Sequence, residues 1–211
     1  MIHQRLLDIA ISEFAAKGLD GASTRTIAAK AGTAMSSITY HFGGKEGLYL
    51  AAADHIATQI GDHVAPEIRD AGIPAGTTAE QARVLIHEML ARFIETMAGE
   101  KSAAFSLFIM REQMEPTEAF ERIYGGLMGR MLSVLVELVC LATGGSAETA
   151  RVVVITLMGQ VTVLRASRAT VLKLMQCTEF DAQAAATLSA RIVANTNAIL
   201  DQLIAERQEL P

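Results

Sequence analysis

Hydrogen-bonding side chains are concentrated in one short stretch of the chain, residues 35–42. They are hydroxyl, phenol and imidazole groups, carried by Ser36, Ser37, Thr39, Tyr40 and His41. Such groups can bond to base edges and phosphates when a helix lies in the major groove of duplex DNA. This chemistry requires a helix that turns the set outward and neighbouring helices that hold it.

The flanking sequence predicts those helices. Apolar residues fall at helical spacing on both sides of Gly32, with Ile27, Ala28 and Ala31 before it and Ile38 and Phe42 after it. Each short helix can therefore bury one stripe against a third helix, and Gly32 makes the tight turn between them. The pattern indicates a helix-turn-helix motif; the alternative is an ordinary helical hairpin with a solvated face.

Helical periodicity continues along the chain. A first helix is predicted over about residues 2–17, ended by Gly18, and Ser23 or Thr24 is expected to cap the second helix. A long fourth helix should open at Lys45 and stop near Pro66. Further helices are expected over about 78–98, up to 114, over 115–142 with Pro116 at its first helical position, and over 146–165 and 181–206. The predicted fold class is all-α.

The amino-terminal region resembles that of TetR-family regulators. The residues that carry the resemblance are Phe14, Gly18, Thr24, Ile27, Ala28, Ala31, Gly32, Tyr40, Phe42, Lys45, Glu46 and Leu48. The resemblance implies an all-helical homodimer that binds double-stranded operator DNA and releases it when a small molecule binds. The domains it implies are a helix-turn-helix DNA-binding domain at 1–47 and a helical ligand-binding and dimerisation domain at 48–211.

The same resemblance implies the DNA-contacting residues, which are Thr24, Arg25, Ser36, Ser37, Thr39, Tyr40, His41 and Lys45. Two positions depart from the family pattern. Ala34 replaces a serine that would cap the recognition helix, so Thr33 would have to take over that role. Met35 replaces a polar residue, which favours an apolar contact to a thymine methyl group.

The charge is unevenly distributed. The chain has a net charge of −5, but residues 1–50 hold five basic side chains and four acidic ones. The excess of acid therefore lies beyond the motif. A weakly positive DNA-binding segment must obtain its affinity from a few well-placed cations in each half of a dimer.

A second resemblance concerns residues 111–120. Their pattern, R-E-x-x-x-P-T-x-A-F, is similar to that of CecR-like regulators within the TetR family, which implies control of efflux or transport genes. The alternative is a helix-loop-helix corner in which Arg111 pairs with a nearby carboxylate. Methionine and aromatic side chains nearby could line an adaptable apolar cavity or form plain core. The candidate ligand-binding residues are His87, Phe105, Phe108, Met110, Arg111, Met114, Met128 and Gln160.

Two helices have the spacing of a subunit interface. Apolar residues recur every three or four positions in the helices near 146–165 and 181–206. Two such helices from each subunit would form a four-helix interface. The predicted interface residues are Val154, Leu157, Val161, Leu188, Ile192, Asn195 and Ile199. The alternative is a bundle within one subunit.

Several functions are disfavoured by what the sequence lacks. No apolar run is expected to reach the length of a membrane span, and no secretory signal is recognised, so a cytoplasmic location without a membrane partner is expected. Cys140 and Cys177 show no metal-binding spacing. No cofactor or catalytic motif is recognised, so an enzyme is the weakest alternative. The prediction is a repressor released by a small apolar or amphipathic effector; a constitutive DNA-binding dimer without a ligand is the second possibility.

Overall fold

The computed structural model describes residues 2–64, 72–100 and 102–209. Every regular element in these ranges is helical, which confirms the all-α class. The predicted stop at Pro66, and the start of the loop before Thr78, lie outside the described residues.

Eleven helices are described. Their bounds are α1 Ile2–Gly21, α2 Thr24–Ala31, α3 Met35–Phe42, α4 Lys45–Val64, α5 Ala79–Ala98, α6 Ala103–Met114, α7 Glu118–Ile123, α8 Gly129–Thr143, α9 Ala147–Ala166, α10 Arg168–Leu174 and α11 Ala182–Gln208. A π-helical turn, Tyr124–Met128, joins α7 to α8.

Side-chain caps fix several of the helix starts. The Ser23 hydroxyl accepts a hydrogen bond from the Thr26 N–H at 3.3 Å, so Ser23 is the cap of α2. Thr78 and Gln81 form a reciprocal capping box at α5, and Ser146 caps α9 through the Thr149 N–H. Each cap satisfies a backbone N–H that has no partner inside its helix. The predicted cap at Ser23 is confirmed, and Thr78 and Ser146 stand at the starts predicted for their helices.

Two helix predictions need correction. The helix expected over 115–142 starts later than predicted, after the Thr117 cap rather than at Pro116. It is also divided in two by the π-helical turn. Gly126 has non-helical dihedral angles in that turn, where an added Cβ would lie 3.0 Å from the Ala57 Cβ. In addition, the helix α10 lies between the helices predicted over 146–165 and 181–206, where no helix was predicted.

The chain divides into two compact units. The first comprises Met1–Asp62 and Lys101–Gly129, and the second comprises His63–Glu100 and Arg130–Pro211. The predicted division at residue 47 therefore differs from the division by compactness. The reason is aromatic packing, because Tyr49 of α4 lies 4.9 Å from Phe14 of α1 and 4.7 Å from Phe108 of α6, measured between ring centroids.

The core of the second unit lies among α5, α9 and α11. Ile86 and Leu90 of α5, Leu157 and Val161 of α9, and Leu200 of α11 are completely buried. At the end of α5, Arg168 donates a hydrogen bond to the Ala98 carbonyl at 3.0 Å, and Arg165 donates to the Gly99 carbonyl. Both cations lie where the helix dipole is negative, which stabilises the end of α5.

Two helical stretches, Glu118–Thr143 and Ala147–Ala166, are long and apolar enough to span a membrane by length and composition alone. This corrects the expectation that no stretch would reach that length. The first stretch is interrupted by the π-helical turn. The second contributes Val153, Leu157 and Val161 to the core of its unit.

Glu13 connects α1 to α2 through a buried carboxylate. The side chain is 4% exposed, and its two oxygens accept hydrogen bonds from Lys17 of α1 and Lys30 of α2. The Lys17 ammonium and then the Lys30 ammonium lower the pKa of Glu13 below its usual range, against the opposing effect of burial. The ionised carboxylate therefore stabilises the pairing of α1 with α2.

We expect Glu13→Gln to lower the melting temperature at pH 7. The folded-state pKa lies below the unfolded one, so the stabilisation is complete above the unfolded value of about 4.3 and is lost as the pH falls through the folded value. Thermal unfolding followed by circular dichroism should show a difference in melting temperature between the wild type and the variant, and this gap should narrow below that pH. Glu179→Gln, at an exposed position, is the control; an equal gap at pH 7 and pH 3 would contradict the assignment.

Candidate nucleic-acid interface

The turn between α2 and α3 depends on Gly32. Its φ and ψ are 70° and 31°, in the left-handed region that favours glycine, and its N–H donates to the Ala29 carbonyl at 3.2 Å. The next N–H, of Thr33, reaches back to the Ala28 carbonyl at 3.0 Å. These two bonds satisfy carbonyls at the end of α2 and reverse the chain before α3 starts.

The helix α3 buries its apolar stripe and exposes its polar one. Ile38 is 1% exposed and Phe42 is half-buried, whereas Tyr40 is 86% and Met35 is 49% exposed. The other exposed members of the predicted set are Ser36, Thr39 and His41. The structure therefore leaves five of the predicted contact residues exposed on α3, and we call them together the α3 face: Met35, Ser36, Thr39, Tyr40 and His41.

Ser37 and Lys45 are partly engaged inside the subunit. The Thr33 hydroxyl donates to the Ser37 hydroxyl at 3.1 Å across the turn, and Ser37 is half-buried. The Lys45 ammonium donates to the Asp20 carbonyl at 2.9 Å, tying the start of α4 to the end of α1. An ammonium has two further donors, so this bond leaves Lys45 able to approach a phosphate.

The start of α2 supplies two more candidates. Thr24 is half-buried and Arg25 is exposed in the first turn of that helix. Backbone N–H groups at a helix start attract anions, and a nearby guanidinium adds a full positive charge. The start of α2 therefore has the donors that could bind a phosphate.

The candidate ligand residues are divided between the two compact units. Phe105, Phe108, Met110, Arg111, Met114 and Met128 lie in the first compact unit, whereas His87 and Gln160 lie in the second. Phe108 is completely buried against Tyr49, and Met114 is 84% exposed. These two side chains therefore have the environments of a core residue and a surface residue.

Arg111 has a structural partner in the first unit. Its Nη2 donates to the Ala15 carbonyl of α1 at 3.3 Å, so the partner is a backbone oxygen rather than the carboxylate of the alternative interpretation. The charge approaches the end of the regular part of α1, where free carbonyls and the helix dipole attract a cation.

His87 has features of a ligand contact within the second unit. Its side chain bonds to Asn197 of α11, and its Nε2 is buried and has no hydrogen-bond partner among the residues that the structure describes. Burial lowers the pKa of His87, so the imidazole is neutral at pH 7. A separate cavity of about 300 Å³ lies between the α8–α9 turn and the end of α11, and its lining, which includes Thr143, Ser146 and Arg207, contains none of the predicted ligand residues.

The predicted interface residues are divided between two sides of their helices. Val154, Leu157, Val161 and Ile192 are buried inside the subunit, which corrects their assignment to a contact with another chain. Leu188 and Ile199 are half-buried, and Asn195 is exposed. The spacing selected the inward stripe because α9 is apolar on several sides, so periodicity could not distinguish core from interface.

Other residues of α9 form the exposed apolar surface. Val152 is 59% exposed, Ile155 70% and Val163 40%, and their spacing places them on one side of α9. The Asn195 amide of α11 donates to the Gln160 side chain of α9 at 2.9 Å, so the outer sides of the two helices lie next to each other. We call the surface of Val152, Ile155 and Val163 with the adjoining part of α11 the outer α9–α11 face.

A turn at Gly32 between two short helices, with exposed polar residues on the second, is the geometry of a helix-turn-helix DNA-binding protein, and this one has a second helical unit. Comparison with protein families agrees. Residues 6–52 match the model described as bacterial regulatory proteins, tetR family, and residues 80–203 match the C-terminal domain of the HTH-type transcriptional dual regulator CecR. The chain belongs to the TetR family of transcriptional regulators, and its second domain is of the CecR type.

A characterised relative and several solved structures support this placement. The HTH-type transcriptional dual regulator CecR of Shigella flexneri is 31% identical over 206 residues, which cover 95% of this chain and 92% of the relative. A TetR-like regulator from Rhodococcus sp. RHA1 has 20% identity and a TM-score of 0.66, covering 93% of this chain and 96% of that one. AibR, solved with isovaleryl coenzyme A and operator DNA, has 14% identity and a TM-score of 0.69, covering 92% and 96%.

We expect Ala34→Ser to stabilise the protein. Ala34 precedes α3 in an extended conformation, with φ −78° and ψ 146°, and no side chain caps this helix, since the Thr33 hydroxyl bonds to Ser37 instead. A serine cap at this position is worth about 1 kcal/mol. Urea unfolding should give a higher midpoint with an unchanged m-value. The control is Ala29→Ser, in the exposed interior of α2; a gain there as large as at Ala34 would contradict the capping explanation.

Proposed function

We propose that this regulator is a ligand-responsive repressor that binds operator DNA through the α3 face. The observation that carries the proposal is the division of α3, in which Ile38 is buried while Tyr40, Thr39 and Ser36 face solvent without crowding. A helix of this kind can enter a major groove, where short polar side chains reach base edges and a phenol reaches a phosphate. Met35 at its start is suited to the methyl group of thymine.

The proposed DNA-binding form is a homodimer. Two α3 faces related by a twofold axis would lie in successive major grooves about 34 Å apart. The outer α9–α11 face supports such a dimer, because an apolar surface of this kind is costly to leave in water and a second copy offers a self-complementary partner. The exposed Asn195 would lie at this interface beside its bond to Gln160.

A small molecule is proposed to release the DNA. The CecR-type match over residues 80–203 supports a sensing role for the second domain, and AibR, which shares the fold, was solved with isovaleryl coenzyme A. An effector that binds better to a conformer with a different spacing of the two α3 faces would lower DNA affinity. His87 is the proposed polar contact for an apolar or amphipathic effector, whereas the bond of Gln160 to Asn195 places Gln160 at the proposed dimer interface instead.

The alternatives are a constitutive DNA-binding dimer and, less well supported, a helical enzyme. The family and the relatives described above are transcriptional regulators rather than enzymes. A constitutive binder has no need for a second domain of the CecR type, which residues 80–203 match. A reporter gene preceded by the bound DNA sequence would decide between constitutive and effector-released repression, since output should rise with an effector only in the second case.

We expect Arg25→Gln to weaken DNA binding and to reduce its dependence on salt. The probe is the duplex that the wild-type protein enriches from a randomised library. Each lost phosphate contact reduces the slope of log K against log salt by about 0.9, or about 1.8 for the two copies in a dimer. Fluorescence anisotropy at several salt concentrations measures the slope.

The matched control is Lys173→Gln, which removes an exposed cation of α10. Its slope should equal that of the wild type. An equal loss of slope in both variants would mean that net charge rather than the position of Arg25 governs binding, and failure of the wild-type protein to enrich any duplex would contradict the proposed function.

We expect Ile155→Glu to convert the dimer into monomers. Twofold symmetry places the new carboxylate in the interface twice, where burial of unpaired charge is costly. Sedimentation velocity at micromolar concentration measures the change. Leu174→Glu is the control, because it removes an apolar side chain that is 79% exposed on α10. A dimer that persists in Ile155→Glu would place the interface elsewhere.

A further inference from the structure

A buried carboxylate, that of Glu112, lies at the corner between α6 and α7. Glu112 is 2% exposed, and its Oε2 accepts hydrogen bonds from the Thr117 N–H at 3.1 Å, the Thr117 hydroxyl at 2.8 Å and the Phe120 N–H at 3.0 Å. Its Oε1 accepts from the Tyr49 hydroxyl of α4 at 2.5 Å. One carboxylate therefore joins α6, the start of α7 and α4.

The position of Glu112 is electrostatically unusual for its own helix. It lies in the last turn of α6, where the helix dipole disfavours an anion, and burial adds a further cost. The start of α7 compensates with its backbone donors, and charge-assisted bonds are stronger than neutral ones. The arrangement is stable while all four donors stay in place, which makes the corner sensitive to any displacement of α4.

Tyr49 transmits this constraint to α4. Tyr49 is 3% exposed, and its ring packs between Phe14 and Phe108. This packing fixes the direction in which the hydroxyl points, which is toward Glu112. Burial and then the hydrogen bond to Glu112 raise the pKa of Tyr49, which keeps its hydroxyl protonated as a donor. Tyr49 lies one helical turn after Lys45, which bonds to the Asp20 carbonyl.

Arg111, the neighbour of Glu112, reaches α1. Its Nη2 donates to the Ala15 carbonyl, and a Cβ added at Gly18 would lie 3.2 Å from its Nη1. Gly18 has a φ of 72°, so the guanidinium packs where the regular part of α1 ends. Adjacent residues of α6 thus contact both α1 and α4.

The link between α3 and α4 does not by itself fix the direction of α3. It consists of Gly43 and Gly44, whose φ values of 75° and 128° belong to conformations that glycine adopts freely. The orientation of α3 therefore depends on how α1 and α4 are held.

We propose that Arg111 and Glu112 are positioning residues for DNA binding, which hold α1 and α4 so that the α3 face has the orientation that fits the groove. The inference rests on the proposed role of the α3 face in DNA recognition. It gives residues 111–120 a function in the DNA-binding unit, because Arg111 contacts the end of α1, Glu112 bonds to α4, and Thr117 caps α7.

The test compares Tyr49→Phe and Glu112→Gln with the wild-type protein on the duplex that the wild type enriches from a randomised library. Tyr49→Phe keeps the aromatic packing and removes the hydroxyl. We expect each variant to bind about tenfold more weakly, because part of the population leaves the binding-competent orientation. The salt slope should stay unchanged, since no phosphate contact is removed.

Two features of the experiment distinguish a change in the orientation of α3 from a loss of stability: the temperature of measurement and a double variant. Binding is measured well below the melting temperature of every variant, where a loss of stability alone leaves the folded fraction and the dissociation constant unchanged. Tyr49→Phe combined with Glu112→Gln should cost less than the two single changes together, because both changes act on the same Tyr49–Glu112 bond. Arg111→Lys, which keeps the charge, should retain more affinity than Arg111→Gln.

The controls are Tyr124→Phe and Glu115→Gln, which alter a half-exposed tyrosine and an exposed glutamate of the same unit. Both should bind as the wild type does. Wild-type affinity in Tyr49→Phe and Glu112→Gln would overturn the positioning role while leaving DNA binding by the α3 face intact. A reduced salt slope in these variants would overturn it as well, because it would indicate lost phosphate contacts.

Discussion

Two helices of eight residues, α2 and α3, depend on the core of α1, α4 and α6 for their existence. Helices this short are unstable alone in water, so tertiary packing must supply their free energy of folding. Ile27 and Ile38 provide it by complete or nearly complete burial in the core that contains Phe14. Because that burial uses one stripe of each helix, other side chains of α3 remain exposed, and these form the surface that we propose for DNA binding.

The dependence of α2 and α3 on tertiary packing also explains the hydrogen bonds between helices of the first unit. Glu13 connects α1 to α2, Lys45 connects α4 to α1, and Glu112 connects α4 to α6 and α7. Each bond joins different helices of the first unit. A small DNA-binding module obtains its rigidity in this way from a few interhelical bonds rather than from its own length.

The helix-turn-helix could be predicted from sequence because its signals are local. Gly32, the Ser23 cap and the spacing around Ile38 each act within a few residues, and the structure has them as expected. The corner at Glu112 could not be predicted, since its carboxylate bonds to Tyr49, 63 positions away. The inward side of α9 was mistaken for an interface because Val154 and Ile155 are equally apolar and differ in burial alone. The π-helical turn after α7 and the short helix α10 were not predicted, because no capping residue or apolar spacing that we recognised marks them in the sequence.

The central claim is that the α3 face touches duplex bases, and site-directed photocrosslinking tests it most directly. Tyr40 would be replaced by benzoylphenylalanine, with Leu174 of α10 replaced in the same way for comparison, since both positions are largely exposed. The account predicts that irradiation of the complex with the enriched duplex links Tyr40, and not Leu174, to the DNA. Tight binding with no crosslink at Tyr40, or with a crosslink at Leu174 alone, would contradict it.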